Sequence, residues 1–145
     1  MKRALELADI AAGLGEAPIG CVIVKDGKIV GEGYNRRETH KTALGHAELY
    51  AIKDACENLG GWRLFDCDLY VTLEPCPMCA GAIINARIEH VIFGASDPKA
   101  GSCGSIINLF DLPYNHKPKI ISGVLGDECS GKLTDFFKAL RESKK

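Results

Sequence analysis

The sequence predicts an α/β sandwich around a mixed sheet, and three observations lead there. Apolar, β-branched runs of strand length alternate along the chain with segments of helical period, the pattern of helices laid on a sheet. Two of those runs are joined by Asp26-Gly27, a two-residue turn that makes an antiparallel hairpin. The later runs are separated by helical segments, which favours parallel pairing between them. With 145 residues, the chain has room for one real hydrophobic core and not comfortably for two, so residues 1–145 are read as a single domain.

Each element follows from its residues. Residues 3–12 put Leu5, Ala8 and Ala12 on one stripe of an amphipathic helix, which Gly13 and Gly15 end. After Pro18, the run Ile19-Gly20-Cys21-Val22-Ile23-Val24 fits a buried strand, and residues 28–34 return as its hairpin partner. Residues 35–45 have no clean period and read as a loop. A helix follows over about 46–58, with Leu49, Ile52, Lys53 and Cys56 at helical spacing, and Gly60-Gly61 stops it. Residues 68–73 are the next strand; Pro75 then falls where the first turn of a helix tolerates proline, and that helix covers 76–86. Residues 90–94 form a short strand, 95–105 a Gly- and Ser-rich loop, and 106–110 a short helix. Lys119-Ile120-Ile121 is the last strand, and residues 133–140 fall in a C-terminal helix with a basic tail.

Composition narrows the function classes. Lysine and arginine number 18 against 19 acidic residues, a formal net charge of -1, so any polyanion must meet a local basic patch. The seven cysteines (Cys21, Cys56, Cys67, Cys76, Cys79, Cys103 and Cys129) are odd in number and irregular in spacing. That suits a reducing compartment in which a few thiols bind metal, not a disulfide framework. No apolar run approaches the roughly 20 residues that span a bilayer, and Glu6 and Asp9 interrupt the N-terminal stretch. No membrane partner is expected, and cytoplasm is the expected location.

The chemistry sits in two segments, Gly45-His46-Ala47-Glu48 and Glu74-Pro75-Cys76-Pro77-Met78-Cys79. Cys76 and Cys79, in the first turn of a helix, share one face, and a helix N-terminus favours the thiolates that zinc requires. Alone, a Cys-x-x-Cys pair is also a redox pair or half of a structural zinc site, His46 an ordinary histidine, and Glu48 a solvated carboxylate. Structural zinc takes four protein ligands, whereas catalytic zinc keeps one position for water. No second Cys-x-x-Cys exists here, so His46, Cys76 and Cys79 make three ligands with a position open, and Glu48 stands beside them. His-x-Glu followed by Pro-Cys-x-x-Cys is the signature of zinc deaminases. Zinc lowers the pKa of water from about 15.7 towards about 7, and a carboxylate close by moves the protons that hydrolysis requires.

These motifs resemble the cytidine deaminase superfamily, and more closely its tRNA-specific adenosine deaminases, which convert wobble adenosine to inosine. The resemblance runs nearly end to end: Gly15-Glu16-Ala17-Pro18-Ile19-Gly20, Gly33-Tyr34-Asn35-Arg36, His46-Ala47-Glu48 and Leu69 through Ala82. Further on come Phe93-Gly94-Ala95-Ser96-Asp97-Pro98-Lys99, Asn115-His116 and Asp135-Phe136-Phe137-Lys138, which point to the tRNA branch. The family implies a three-layer α/β/α sandwich with a five-stranded mixed sheet, a homodimer, and one Zn2+ per subunit on His46, Cys76 and Cys79. It implies Glu48 as general acid and base, Asn35, Ala47 and Asp97 as substrate contacts, and the tRNA anticodon loop as partner. Arg36, Phe137, Lys138 and Arg141 are the RNA-contact candidates it suggests, within the two basic clusters of the 36–41 loop and the C-terminal tail to Lys145.

One stretch departs from the family. Ala43-Leu44-Gly45 stands where relatives usually carry proline, threonine and alanine before the zinc histidine. That departure motivates the alternative, deamination of a free nucleobase or nucleoside such as guanine or cytosine. A non-enzymatic zinc or RNA-binding module is a third reading, opposed by the intact four-residue set. Among other residues, Trp62 is expected to cap the core, and Cys103 to be exposed in its loop.

Overall fold

In the computed structural model, which describes residues 1–144, the sheet starts from the turn Asp26-Gly27. Both residues have positive φ, 51° and 73°, the primed turn geometry whose twist matches the strands it joins. It connects β1 (Gly20–Lys25) to β2 (Lys28–Tyr34), paired antiparallel from Lys25 opposite Lys28 to Gly20 opposite Tyr34. β1 pairs antiparallel with β3 (Cys67–Leu73). β3 is parallel to β4 (His90–Ala95), and β4 to β5 (Lys119–Ile121). The order β2-β1-β3-β4-β5 makes one five-stranded mixed sheet. Parallel pairing holds between β3 and β4 because a helix crosses over between them.

Two helices lie on each face. α1 (Lys2–Gly13) and α4 (Gly126–Ser143) cover one side, α2 (Ala47–Leu59) and α3 (Pro77–Ala86) the other, so the three-layer α/β/α sandwich expected from the family is the fold. The main core fills the space under α2 and α3 with Cys21, Ile23, Leu69, Val71, Ile83, Val91 and Phe93. No helix among the described residues is long and apolar enough to cross a membrane.

The helices approach the sheet more closely than apolar periodicity suggests. A Cβ at Gly31 or Gly33 of β2 would run into the backbone of α2 at Ala47, Ala51 and Ala55. The buried stripe of α2 is therefore Ala47, Glu48, Ala51 and Ala55. Leu49, Ile52 and Cys56 are only half-buried and Lys53 is exposed, because small residues, not large ones, allow this backbone contact. The same holds for α1: Gly20 leaves no room for a Cβ against Ala4 and Ala8, so Ala4, Leu7, Ala8 and Ala11 are buried. Leu5 and Ala12 flank that stripe, and the helix runs on through Gly13.

Two further corrections concern α3 and the 106–110 segment. Pro77, not Pro75, occupies the first turn of α3, with Cys76 as N-cap; the missing proline N–H costs nothing there. Residues 106–108 are not helical, and a single 3-10 turn spans Leu109–Asp111, with the Asn108 side chain accepting from the Phe110 N–H at 3.1 Å. The Ile106 N–H is already given to the Gly101 carbonyl and that of Leu109 to Ser102, so this stretch folds back on its own loop.

Candidate active site

The metal-ligand candidates stand at two helix starts. His46 is the N-cap of α2, extended at φ -89° and ψ 145°, and Cys76 is the N-cap of α3 with Cys79 in its first turn. β2 and β3 end side by side in space through β1, which brings these two starts together. Nδ1 of His46 lies 3.5 Å from the sulfur of Cys76 and 3.5 Å from that of Cys79. All three ligand atoms fall within 4.8 Å of one another, a group able to hold a metal ion. Tetrahedral zinc with Zn–S of about 2.3 Å and Zn–N of about 2.0 Å would separate N and S by roughly 3.5 Å. The residues fit zinc.

Charge in the cluster is already divided. Hydrogen bonding with Cys79 takes the Cys76 thiol down to about 4 against the opposing effect of burial, with His46 adding to the fall. Cys79 moves up, through that same hydrogen bond and through burial. His46 is raised by its hydrogen bond with Cys76. A bound cation deprotonates coordinating thiols outright. Beside the cluster, Glu48 is 4% exposed, and burial pushes its carboxyl up to about 7 while His46 draws it down.

The cluster faces a cavity of about 690 Å³ whose lining includes Asn35, His46, Ala47, Glu48, Cys76 and Asp97, within the range of roughly 300–1,000 Å³ that suits small ligands. Cys79 is fully buried behind them. Asn35 is fixed at both ends of its amide: Nδ2 donates to the Ala17 carbonyl at 3.3 Å, and Oδ1 accepts from the Arg37 N–H at 3.2 Å. Ala47 is the first residue of α2, so its amide has no partner within the helix. Phe137, 43% exposed, reaches the cavity from α4.

Other sequence candidates lie elsewhere. Lys138 and Arg141 are exposed on α4 outside the cavity lining. Arg36 is turned away and stacks between Tyr34 and Tyr50, its guanidinium carbon 4.2 and 4.8 Å from the two ring centres. Its neighbour Arg37 lines the cavity instead, together with Lys99. Lys132 pairs with Asp9 at 2.7 Å, and Lys145 lies outside the described residues. Trp62 does not cap the core: it is 52% exposed under Arg63, with the guanidinium 4.1 Å from its ring. Cys103 is buried, not exposed, because its loop folds inward. His116 donates to the Ile88 carbonyl at 2.7 Å, a structural contact.

Two buried carboxylates were not singled out by their sequence. Glu74, 2% exposed, accepts from the backbone N–H groups of Asp97, Cys103 and Ser105 at 3.0, 3.0 and 3.1 Å and from the Ser105 hydroxyl. It shapes the 97–105 wall of the cavity from a position two residues before Cys76. Glu16, 1% exposed, does the same for the opposite loop. In each case burial favours the protonated form and is outweighed by hydrogen bonds, from Ser105 and Asp97 for Glu74 and from Thr39 and Glu38 for Glu16, so both stay below the ordinary carboxylate value. Both fall inside the motif segments Gly15 to Gly20 and Glu74 to Cys79, but their partners are distant in sequence, so the motifs do not show what they hold.

Three ligands at tetrahedral spacing, an open side towards a nucleoside-sized cavity and a proton-carrying glutamate suit attack of water on an amine-bearing ring carbon, the work of a hydrolytic deaminase. The MafB19-like deaminase family model matches residues 1–141. A tRNA-specific adenosine deaminase of Bacillus subtilis (strain 168) is 49% identical, over 100% of this chain and 91% of that one. A solved tRNA:A34 deaminase superposes with a TM-score of 0.89 at 43% identity, covering 92% of this chain and 97% of that chain. A solved guanine deaminase of Bacillus subtilis superposes at 0.65 and 38% identity, covering 97% and 90%. The chain therefore belongs to the MafB19-like deaminases and, within them, to the tRNA-specific adenosine deaminase family.

Proposed function

We propose that this protein hydrolyses adenosine to inosine at the wobble position of tRNA, using one zinc per subunit held by His46, Cys76 and Cys79. The observation that supports the substrate is the 49% identity, across the whole chain, to a relative named for that reaction. The site's own geometry supports the chemistry. Zinc, when bound, supplies water acidic enough to attack at neutral pH.

The chain's residues do the rest. The target adenosine, flipped out of the anticodon loop, enters the cavity. Asn35 and the Ala47 amide orient its base, and Asp97 meets the ribose side. Glu48 takes a proton from the attacking water, gives it to the ring nitrogen beside C6, and passes a proton to the departing amine. The C6–N bond breaks as C6–O becomes the carbonyl, so adenosine and water become inosine and ammonia. Burial in the cavity wall raises the Glu48 carboxyl above its ordinary range in the metal-free site, and a carboxyl beside both water and base can take up and give back a proton. Arg37 and Lys99 at the cavity, with Lys138 and Arg141 on α4, supply cations for anticodon-loop phosphates, and exposed Phe137 offers a face for a splayed base. Exposed Trp62, Phe65, Ile106 and Ile107 support assembly of this single domain as a homodimer, working in the cytoplasm.

A second reading, a free-base deaminase, is favoured by Ala43-Leu44-Gly45 immediately before His46. Ammonia release decides between them. Zinc-loaded protein is expected to release ammonia from tRNA carrying wobble adenosine and none from guanine, cytosine or their nucleosides. Release from a free base with none from that tRNA would overturn the proposal in favour of the second reading.

A further inference from the structure

The loop between β2 and α2, residues 35–45, forms one wall of the cavity through Asn35 and Arg37. Its internal hydrogen bonds fold it on itself, the His40 N–H donating to Arg36 at 2.9 Å and that of Gly45 to Thr42 at 3.2 Å, but residues 37–41, 43 and 44 are exposed and little packing holds it against the protein. Lys41 sits in the left-handed region at φ 51°, which disfavours a residue with a side chain. Glu16 ties this loop to the body of the protein from outside it. One carboxylate oxygen accepts from the Glu38 N–H at 3.2 Å, the other from the Thr39 N–H at 2.7 Å and the Thr39 hydroxyl at 2.6 Å. The next residue, Ala17, accepts from the Asn35 side chain. Backbone bonds then carry the tether through the loop: the Thr42 N–H donates to Arg37 at 3.0 Å and the Arg36 N–H to Gly45 at 2.9 Å. Gly45 lies so close on the backbone of Arg36 and Arg37 that a Cβ there would collide. Glu16 itself does not line the cavity.

We propose that Glu16 is a positioning residue for substrate: its buried carboxylate sets the 35–45 loop so that Arg37 meets the phosphate beside the target nucleotide and Asn35 meets its base. This rests on tRNA being the substrate. Because the metal ligands belong to the starts of α2 and α3, Glu16 governs substrate capture and leaves the hydrolytic step alone.

The test uses the full-length, zinc-loaded protein as wild type, Glu16→Ala, Glu16→Gln, Arg37→Ala and the Glu16→Ala/Arg37→Ala double variant, with tRNA bearing wobble adenosine. Glu16→Ala is expected to raise KM about ten-fold with kcat within about three-fold and zinc content unchanged. Glu16→Gln, which keeps one acceptor oxygen, raises KM less, and serves alone if the alanine variant does not fold. Arg37→Ala raises KM in the wild-type background but by no more than about two-fold on top of Glu16→Ala, since both act through one contact. Unchanged KM, a loss confined to kcat, loss of zinc, or independent multiplying effects would overturn the role. Hydrogen exchange without substrate reads the tether directly: the Glu38, Thr39 and Thr42 amides lose protection in Glu16→Ala while α2 and α3 keep theirs, and unchanged protection overturns it. If the wild type converts no tRNA, the substrate reading fails, and hydrogen exchange alone then decides whether Glu16 holds the loop.

Discussion

The ligand cluster and the cavity walls are built in opposite ways. His46 and Cys76 cap two regular helices and Glu48 and Cys79 sit on their first turns, placed by strand order and by glycine-to-alanine contact between β2 and α2. The walls are loops, 35–45 and 97–105, and each takes its shape from one buried carboxylate reached across more than twenty residues of sequence. On the proposed function, reaction chemistry rests on regular elements and substrate choice on irregular ones. Insertions and exchanges in the loops can retune the substrate without moving the metal.

The largest expected effect of breaking this division comes from the cluster side. Cys76→Ala leaves two ligands where zinc needs three and should reduce deamination to background, with bound zinc falling from about one equivalent towards none by atomic absorption. Retained stoichiometric zinc would mean that the ligand set is wrong. On the wall side, Glu74→Ala strands the buried Cys103 N–H and removes the acceptor of the part-buried Asp97 and Ser105 N–H groups and of the Ser105 hydroxyl. An unsatisfied buried donor costs about 1–3 kcal/mol and the part-buried ones less, so a loss of about 2–3 kcal/mol is expected, visible as a thermal midpoint lower by roughly 5–10 °C. A midpoint within a degree or two of wild type would show that the 97–105 wall does not depend on Glu74.

A smaller effect runs the other way. The metal-free Glu48 carboxyl titrates at about 7, above its ordinary 4.5, so the protonated form is the one that folding favours. That contribution is complete below 4.5 and is lost as pH rises through about 7. Glu48→Gln, which cannot ionise, should be more stable than metal-free wild type above that pH by about 1–3 kcal/mol, with little difference at pH 5. Urea titrations of both proteins at the two pH values check the sign; equal stability at high pH would show that Glu48 is solvated.

The same contrast explains what the sequence reveals. Asp26-Gly27 marks its hairpin because turn geometry is local, and His46, Glu48, Cys76 and Cys79 announce themselves by spacing at two helix starts. The buried stripes of α1 and α2 do not follow the period of the larger apolar residues, because Gly20, Gly31 and Gly33 select alanines. Residues 106–110 look helical by composition, yet Glu74 draws the Cys103 and Ser105 amides into its own carboxylate and the segment into a loop. Arg36 and Arg37 are indistinguishable by charge; only the stacking of Arg36 between Tyr34 and Tyr50 leaves Arg37 to face the cavity.

The central claim, that Glu48 carries the protons of a tRNA adenosine deamination at this cluster, is tested most directly by one paired time course. Zinc-loaded wild type and Glu48→Ala, matched in zinc content and thermal midpoint, are incubated with unmodified tRNA carrying adenosine at the wobble position, and the product is sequenced. Wild type should turn the wobble base into one read as guanosine, while Glu48→Ala leaves it read as adenosine, slower by at least about 10³-fold. Conversion by Glu48→Ala at a rate near that of wild type would contradict the account.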